Sequence, residues 1–210
     1  MWGSLVLVVA VLGTVGSLLY LLTRPLGVDF TQDPNAVEAF EANRKLKLLN
    51  EAQTERRQGF IRLSEVEINS FLEGRYNAAT SKATNRTVRL VKSGVLLDPR
   101  SLTFVTWHRV PVLGFELPFV WQRVVTPTGD TNGWGFRLRA MRVGDLDVPP
   151  EYWSRIEAIL GSTDAVFDER KDWLRDLPFV SLAQNEQSKS PEFRLYTYVP
   201  NEKGKQISSE

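Results

Sequence analysis

Cysteine is missing from all 210 residues, and histidine occurs once, at His108. The first absence excludes disulfides, thiolate metal centres, a cysteine nucleophile and a lipidated-cysteine anchor. The second excludes a zinc or haem site built on several imidazoles. Neither sign of charge is in surplus: Lys plus Arg number 26 and Asp plus Glu 25. The chain therefore lacks the basic footprint of a nucleic-acid binder. No internal repeat is visible. No residue set supplies a nucleophile, a base and an orienting group together, so the reading is non-enzymatic, with no cofactor and no metal.

What the sequence does contain is one long uncharged run at its start. Leu5 to Leu22 holds no charged residue, and at ~1.5 Å per residue that length matches a bilayer core. Trp2 and Tyr20 sit near its ends, where amphipathic rings prefer the interface. A cleaved signal peptide is the rival reading. It requires a basic start and small residues before the cut, and Met1–Ser4 and Leu18–Leu22 offer neither. Residues 5–22 are thus expected to form an uncleaved single-pass anchor. Gly13 and Ser17 form a small-xxx-small pair of the kind that lets two such helices pack. Arg24, alone on the C-terminal flank, would by the positive-inside rule keep the following domain in the cytoplasm.

The remaining ~175 residues suffice for one domain with its own core. An apolar fraction of 42% with 24% charged residues is globular rather than disordered composition. Four regions are expected: an anchor over 1–24, a linker and polar helix over 25–58, an α+β soluble domain over 59–200, and a flexible tail over 201–210. Asp33-Pro34 suits a helix start, and the helix should run to about Arg57 and stop before Gly59. Its apolar stripe is thin, made of Val37, Phe40, Leu48 and Leu49 with Leu46 off the line. Phe60–Leu63 reads as a strand. Ser64-Glu65-Val66-Glu67 is a capping box opening a second helix that ends near Gly74.

From Val88 the periodicity changes to two. Val88–Leu97 with a break at Ser93-Gly94, Leu102–Val110, Phe115–Val125 and Trp134–Met141 form an antiparallel meander, with a hairpin loop over Gly129–Gly133. Pro149-Pro150 leads into a helix containing Tyr152, Ile156, Ile159 and Leu160. A further helix over Asp164–Leu177 and strands at Phe179–Ala183 and Phe193–Val199 close the domain. The fold class is therefore α+β: an N-terminal transmembrane helix followed by a curved antiparallel sheet packed with three to four helices.

Few residues invite chemistry. His108 lies on a strand with no partner visible in the sequence, which favours a structural histidine over a general base. Asp145 and Asp147, two apart on an extended segment, have the charge to hold a cation but no further ligands. Asp164, Asp168 and Asp172 recur at helical spacing beside Arg170, Lys171 and Arg175, which reads as a solvated ion-pair face. Gly133-Trp134-Gly135 is not a phosphate loop, because no Gly-Lys-Ser/Thr follows. Asn85-Arg86-Thr87 is a glycosylation sequon, relevant only in a eukaryotic secretory route.

The most unusual stretch is Val110–Trp121. It is apolar on both parities and interrupted by Pro111 and Pro118, and proline is barred from central ladder positions. This strand should be an edge or carry a bulge, and an apolar edge can line a groove or meet a partner. Val112, Leu113, Phe115, Leu117, Phe119 and Trp121 are the candidate ligand- or partner-binding residues. The alternative is a strand covered on both faces by helices.

Two short segments resemble a known family. Ile61–Leu72, with its Ser64-Glu65-Val66-Glu67 turn followed by Ile68-Asn69, and Arg142–Pro149, with Gly144 ahead of Leu146, Val148 and Pro149, resemble the corresponding steps of membrane-anchored bacterial proteins of the YpmS type and of lipid-binding-like lipoproteins. The similarity covers residues 60–160. It implies a helix packed on an antiparallel sheet, a domain on the periplasmic or outer face of the membrane, and a lipid-like or hydrophobic ligand. It supplies no catalytic residues. The other expectation is a protein-protein interaction module of a membrane complex, using the polar helix and the apolar strand.

Overall fold

The computed structural model describes residues 13, 14, 16, 17, 19–24, 33–80, 89–112, 114–130, 133–160 and 177–199. Residues 19–23 are helical. Among the described residues no helix is long and apolar enough to cross a membrane. The span expected over 5–22 falls partly outside those residues; Asn85, all but Leu177 of the helix expected over Asp164–Leu177, and the tail over 201–210 lie outside them.

The domain is α+β. Its described elements run α1 (Ala36–Thr54), β1 (Phe60–Leu63), α2 (Glu65–Thr80), β2 (Arg89–Leu97), β3 (Leu102–Val112), β4 (Phe115–Asp130), β5 (Gly133–Val143) and β6 (Leu146–Asp147). A 3-10 turn (Pro150–Tyr152), α3 (Trp153–Leu160), β7 (Phe179–Gln184) and β8 (Pro191–Tyr196) follow. The strands make two antiparallel sheets, not one. The larger is β2-β3-β4-β5-β6, the expected meander, and the smaller is β1-β8-β7. Strand β1 pairs with β8 from the far end of the domain, Ile61 opposite Leu195. Pairing over so long a separation leaves no local signal in the sequence.

Helix α1 begins two residues later than Asp33-Pro34 suggests. Asn35 is the cap: its backbone is extended and its side chain accepts from Glu38 N at 3.0 Å. The helix ends at Thr54 rather than Arg57. Arg56 turns left-handed (φ 54°), and Arg57 N reaches back to Ala52 O at 2.8 Å, a closure of the Schellman kind. Its buried line is Ala42, Leu46, Leu49 and Ala52, so Leu46 belongs to the core, whereas Val37, Phe40 and Leu48 are exposed.

Helix α2 opens on the capping box, with Ser64 N donating to Glu67 Oε2 at 2.9 Å and Glu67 N to Ser64 Oγ at 3.3 Å. It runs past Gly74 to Thr80. The buried Glu67 also takes Lys45 Nζ at 2.5 Å, which fastens α1 to α2. Helix α2 covers the β2 end of the larger sheet, and α1 packs on α2 and on β1. Leu46, Leu49, Leu72, Val95, Leu97, Phe104, Val125, Phe193 and Leu195 form one core between the helices and the two sheets.

The larger sheet carries two bulges. In β2 the shift lies between Leu90 and Lys92, while Ser93 and Gly94 stay in register with Thr106 and Val105; the expected break at Ser93-Gly94 is absent. The second lies at Val124/Val125, where Arg139 of β5 is the extra residue. Each bulge adds local twist.

Candidate functional site

The site is built on the β3–β4 hairpin. Strand β4 is central over most of its length, but β5 reaches it only as far as Trp121, opposite Val143. Below that point, among the described residues, Phe115–Phe119 pairs with β3 alone. On its other side, among the described residues, β3 meets β2 no further than Arg109, opposite Arg89. Pro111 and Pro118 both lie beyond these limits, paired with Glu116 and Arg109. The sequence rule that proline demands an edge is met, among the described residues, by a hairpin that extends beyond its pairing with β2 and β5.

Phe115, Leu117, Phe119 and Trp121 have the same parity, so they share one face of β4. Exposure rises along that face: Trp121 is 1% exposed, Phe119 and Leu117 are half-buried, and Phe115 is 74% exposed. Val112 pairs with Phe115 at the hairpin end, and Leu113 lies outside the described residues. The six candidates therefore separate. Trp121 is core, Phe119 and Leu117 form a half-open apolar track, and Phe115 stands at its outer end. The alternative of a strand covered on both faces holds at Val120 and Trp121, both buried, and fails at Phe115, Glu116 and Pro118, all exposed.

At the inner end of the track the face turns polar. Thr106 is opposite Trp121 and Ser93 is opposite Thr106, so the three lie in one row across β2, β3 and β4. His108, opposite Phe119, is one pleat further on. Its ring stacks on Phe119 with centroids 5.0 Å apart. His108 Nε2 lies 2.9 Å from Thr106 Oγ1, which lies 3.4 Å from Trp121 O. If Nε2 carries the hydrogen it donates to Thr106 Oγ1 and Nδ1 is an acceptor; if the Thr106 hydroxyl donates to Nε2, Nδ1 is the N–H donor. Burial first, and the Arg123 charge second, lower the His108 pKa to about 4, so the imidazole is neutral near pH 7. The buried Arg123 guanidinium covers the Trp121 ring at 4.4 Å from its centroid, a cation-π contact strengthened by exclusion of water.

Among the described residues, Ser93 Oγ, His108 Nδ1, Trp121 Nε1 and Arg142 Nε are buried without a hydrogen-bond partner, and the first three share this face while Arg142 lies on the other and meets Asp147 as an ion pair. Buried polar atoms are rarely left so, and the cost is about 1–3 kcal/mol each. Sequence reading identified His108 and Trp121 but not Ser93, Thr106 or Arg123. The signal was present in the alternation Phe104, Thr106, His108, which inserts two polar residues into a core-facing line.

The N-terminal helix ends at this same edge of the sheet. Gly144, at the β5–β6 turn, is left-handed (φ +56°) and so close to the helix end that a Cβ there would overlap Leu21 O. Gly144 N donates to Val120 O at 2.8 Å and Asp145 N to Leu21 O at 3.0 Å. Arg24 Nη1 pairs with Asp145 Oδ2 at 3.3 Å. Asp147 instead faces Arg142, with Nε–Oδ1 at 2.7 Å. The two aspartates thus serve different arginines, and among the described residues no group of carboxylates or His gathers as a metal site.

No family model matches the chain, and neither a curated protein nor a solved structure is significantly similar to it.

Proposed function

We propose that this chain is a non-enzymatic, single-pass membrane-anchored protein whose domain lies outside the cytoplasm and binds a lipid-like or hydrophobic ligand along the β4 face. The observation that supports this reading most is the continuous track from Trp121 through Phe119 and Leu117 to the exposed Phe115. It lies at the edge of the sheet where Leu21 and Arg24 bring the end of the apolar N-terminal helix. A ligand drawn from a bilayer would meet Phe115 first and bury its chain inward. An aromatic ring left in water at a hairpin end gains ~1.5–3 kcal/mol when covered.

A non-enzymatic role is consistent with His108. Its Nε2 is hydrogen-bonded to the Thr106 hydroxyl, and among the described residues no carboxylate orients Nδ1. Native mass spectrometry of the purified full chain, with organic extraction of what accompanies it, tests the proposal. A stoichiometric lipid that is lost on Leu117→Asp supports it. A ligand-free mass under conditions that retain the fold counts against it.

A second reading has its own observation. Val37, Phe40 and Leu48 are exposed on α1 and, at ~100° per residue, fall on the side away from Ala42, Leu46 and Leu49. That stripe suits a protein partner within a membrane complex.

A further inference from the structure

Three buried polar atoms without partners on one sheet face require a common explanation. Ser93 and Trp121 flank Thr106 in a single row, with strands ~4.8 Å apart. His108 is one pleat away, ~6.8 Å along β3. The row ends where the half-buried track of Phe119 and Leu117 begins. We infer that Ser93, His108 and Trp121 form a polar seat for the neutral hydroxyl end of an amphiphile whose apolar chain lies along Phe119, Leu117 and Phe115. The inference rests on the ligand-binding reading above and specifies which chemical class of ligand the site takes.

The atoms determine the class. Trp121 Nε1 can only donate, so the guest must accept. His108 Nδ1 accepts or donates according to its tautomer, and a hydroxyl guest, which both gives and takes a hydrogen, meets either. Ser93 Oγ does either. A hydroxyl group satisfies all three. A carboxylate accepts from the indole but has no hydrogen to give Ser93, and its charge costs more to bury than a neutral hydroxyl even beside Arg123. An alkane satisfies none of the three.

The chain's single histidine and six tryptophans make the test direct. The full chain, labelled with ¹⁵N-histidine and ¹⁵N-tryptophan and held in phosphatidylcholine nanodiscs, is titrated with 1-dodecanol, dodecane and dodecanoate. Dodecanol should move the His108 Nδ1 resonance and one indole N–H resonance, saturably and together. Dodecane should move neither, and dodecanoate should bind more weakly than the alcohol. Ser93→Ala, the mildest variant, should weaken dodecanol about three- to tenfold, as expected for one hydrogen bond, and Trp121→Phe should abolish the indole response.

Dodecanol bound to the chain with both resonances unmoved would overturn the seat while leaving a hydrophobic ligand on β4 in place. Failure of dodecanol, dodecane and phospholipid alike to bind would remove both readings. Tighter binding of dodecanoate would overturn the hydroxyl assignment. A water signal at the indole proton that dodecanol never displaces would assign the seat to ordered water alone and overturn it as well.

Discussion

Asn69 of α2 holds both backbone groups of Val95 at the outer edge of β2, with Nδ2 donating to Val95 O at 2.9 Å and Val95 N donating to Oδ1 at 2.6 Å. One helical turn earlier, Glu65 Oε2 takes Leu97 N at 3.0 Å. Four helical residues rise ~6 Å and two strand residues ~6.8 Å, so the i,i+4 pair on the helix matches the i,i+2 pair on the strand. An edge strand that would otherwise present free donors is closed by a helix. Asn69→Ala leaves a buried N–H and a buried C=O unpaired and should destabilise the domain by about 2–4 kcal/mol in urea unfolding. A loss under 1 kcal/mol would mean that water satisfies that edge.

His108 gives the domain an acid sensitivity of known sign. Its pKa falls from 6.5 unfolded to about 4 folded, so between these values the unfolded chain binds a proton that the folded chain refuses. The contribution is complete above pH 6.5 and is lost as pH falls to about 4, an amount of roughly 3 kcal/mol. Urea unfolding across that window should show the slope. His108→Phe should flatten it, apart from carboxylate titration at the acid end. An unchanged slope in that variant would contradict a neutral, buried imidazole.

Gly144 governs how the N-terminal helix meets the sheet. A side chain there overlaps Leu21 O and is strained at φ +56°, so Gly144→Val should detach the helix end. The Arg24–Asp145 pair alone is partly solvated and contributes about 0–1 kcal/mol. Because the chain has no cysteine, Arg24→Cys with Asp145→Cys gives a clean crosslinking pair. A short bismaleimide should join them, and adding Gly144→Val should abolish the product. Crosslinking that survives Gly144→Val would show that the contact does not depend on the glycine.

Ser188 lies exposed in the turn between β7 and β8. With the domain outside the cytoplasm, Ser188→Cys should react with a membrane-impermeant maleimide in intact cells. Protection until lysis would place the domain on the other side.

The sequence exposed the elements whose signals are local. The capping box at Ser64–Glu67, the strand at Phe60–Leu63 and the meander from β2 to β5 are written in short-range periodicity and side-chain chemistry. The second sheet was hidden because β1 finds β8 across most of the domain. The buried line of α1 was misplaced because two of its four members are alanines, which carry little hydrophobic signal, while Phe40 and Val37 carry much and face outward. The start of α1 slipped because Asp33, Pro34 and Asn35 each suit a helix entrance, and only the extended backbone at Asn35 selects the cap. At the site, two prolines fall where the β3–β4 hairpin extends beyond its described pairing with β2 and β5. Pairing of Ser93 with Thr106 and of Thr106 with Trp121 follows from the registers of the β2–β3 and β3–β4 hairpins, which no residue type announces.

The most direct test of a hydrophobic ligand on β4 is a photo-crosslink from its middle. Leu117 replaced by benzoylphenylalanine in the full chain, irradiated in cells and analysed by mass, places the reactive carbonyl on the half-buried track between Phe115 and Phe119. A lipid-sized adduct at position 117, absent when the same residue replaces Phe40, is the predicted result. Adducts to protein alone at position 117 would contradict the account and turn attention to the α1 stripe as one half of a protein interface.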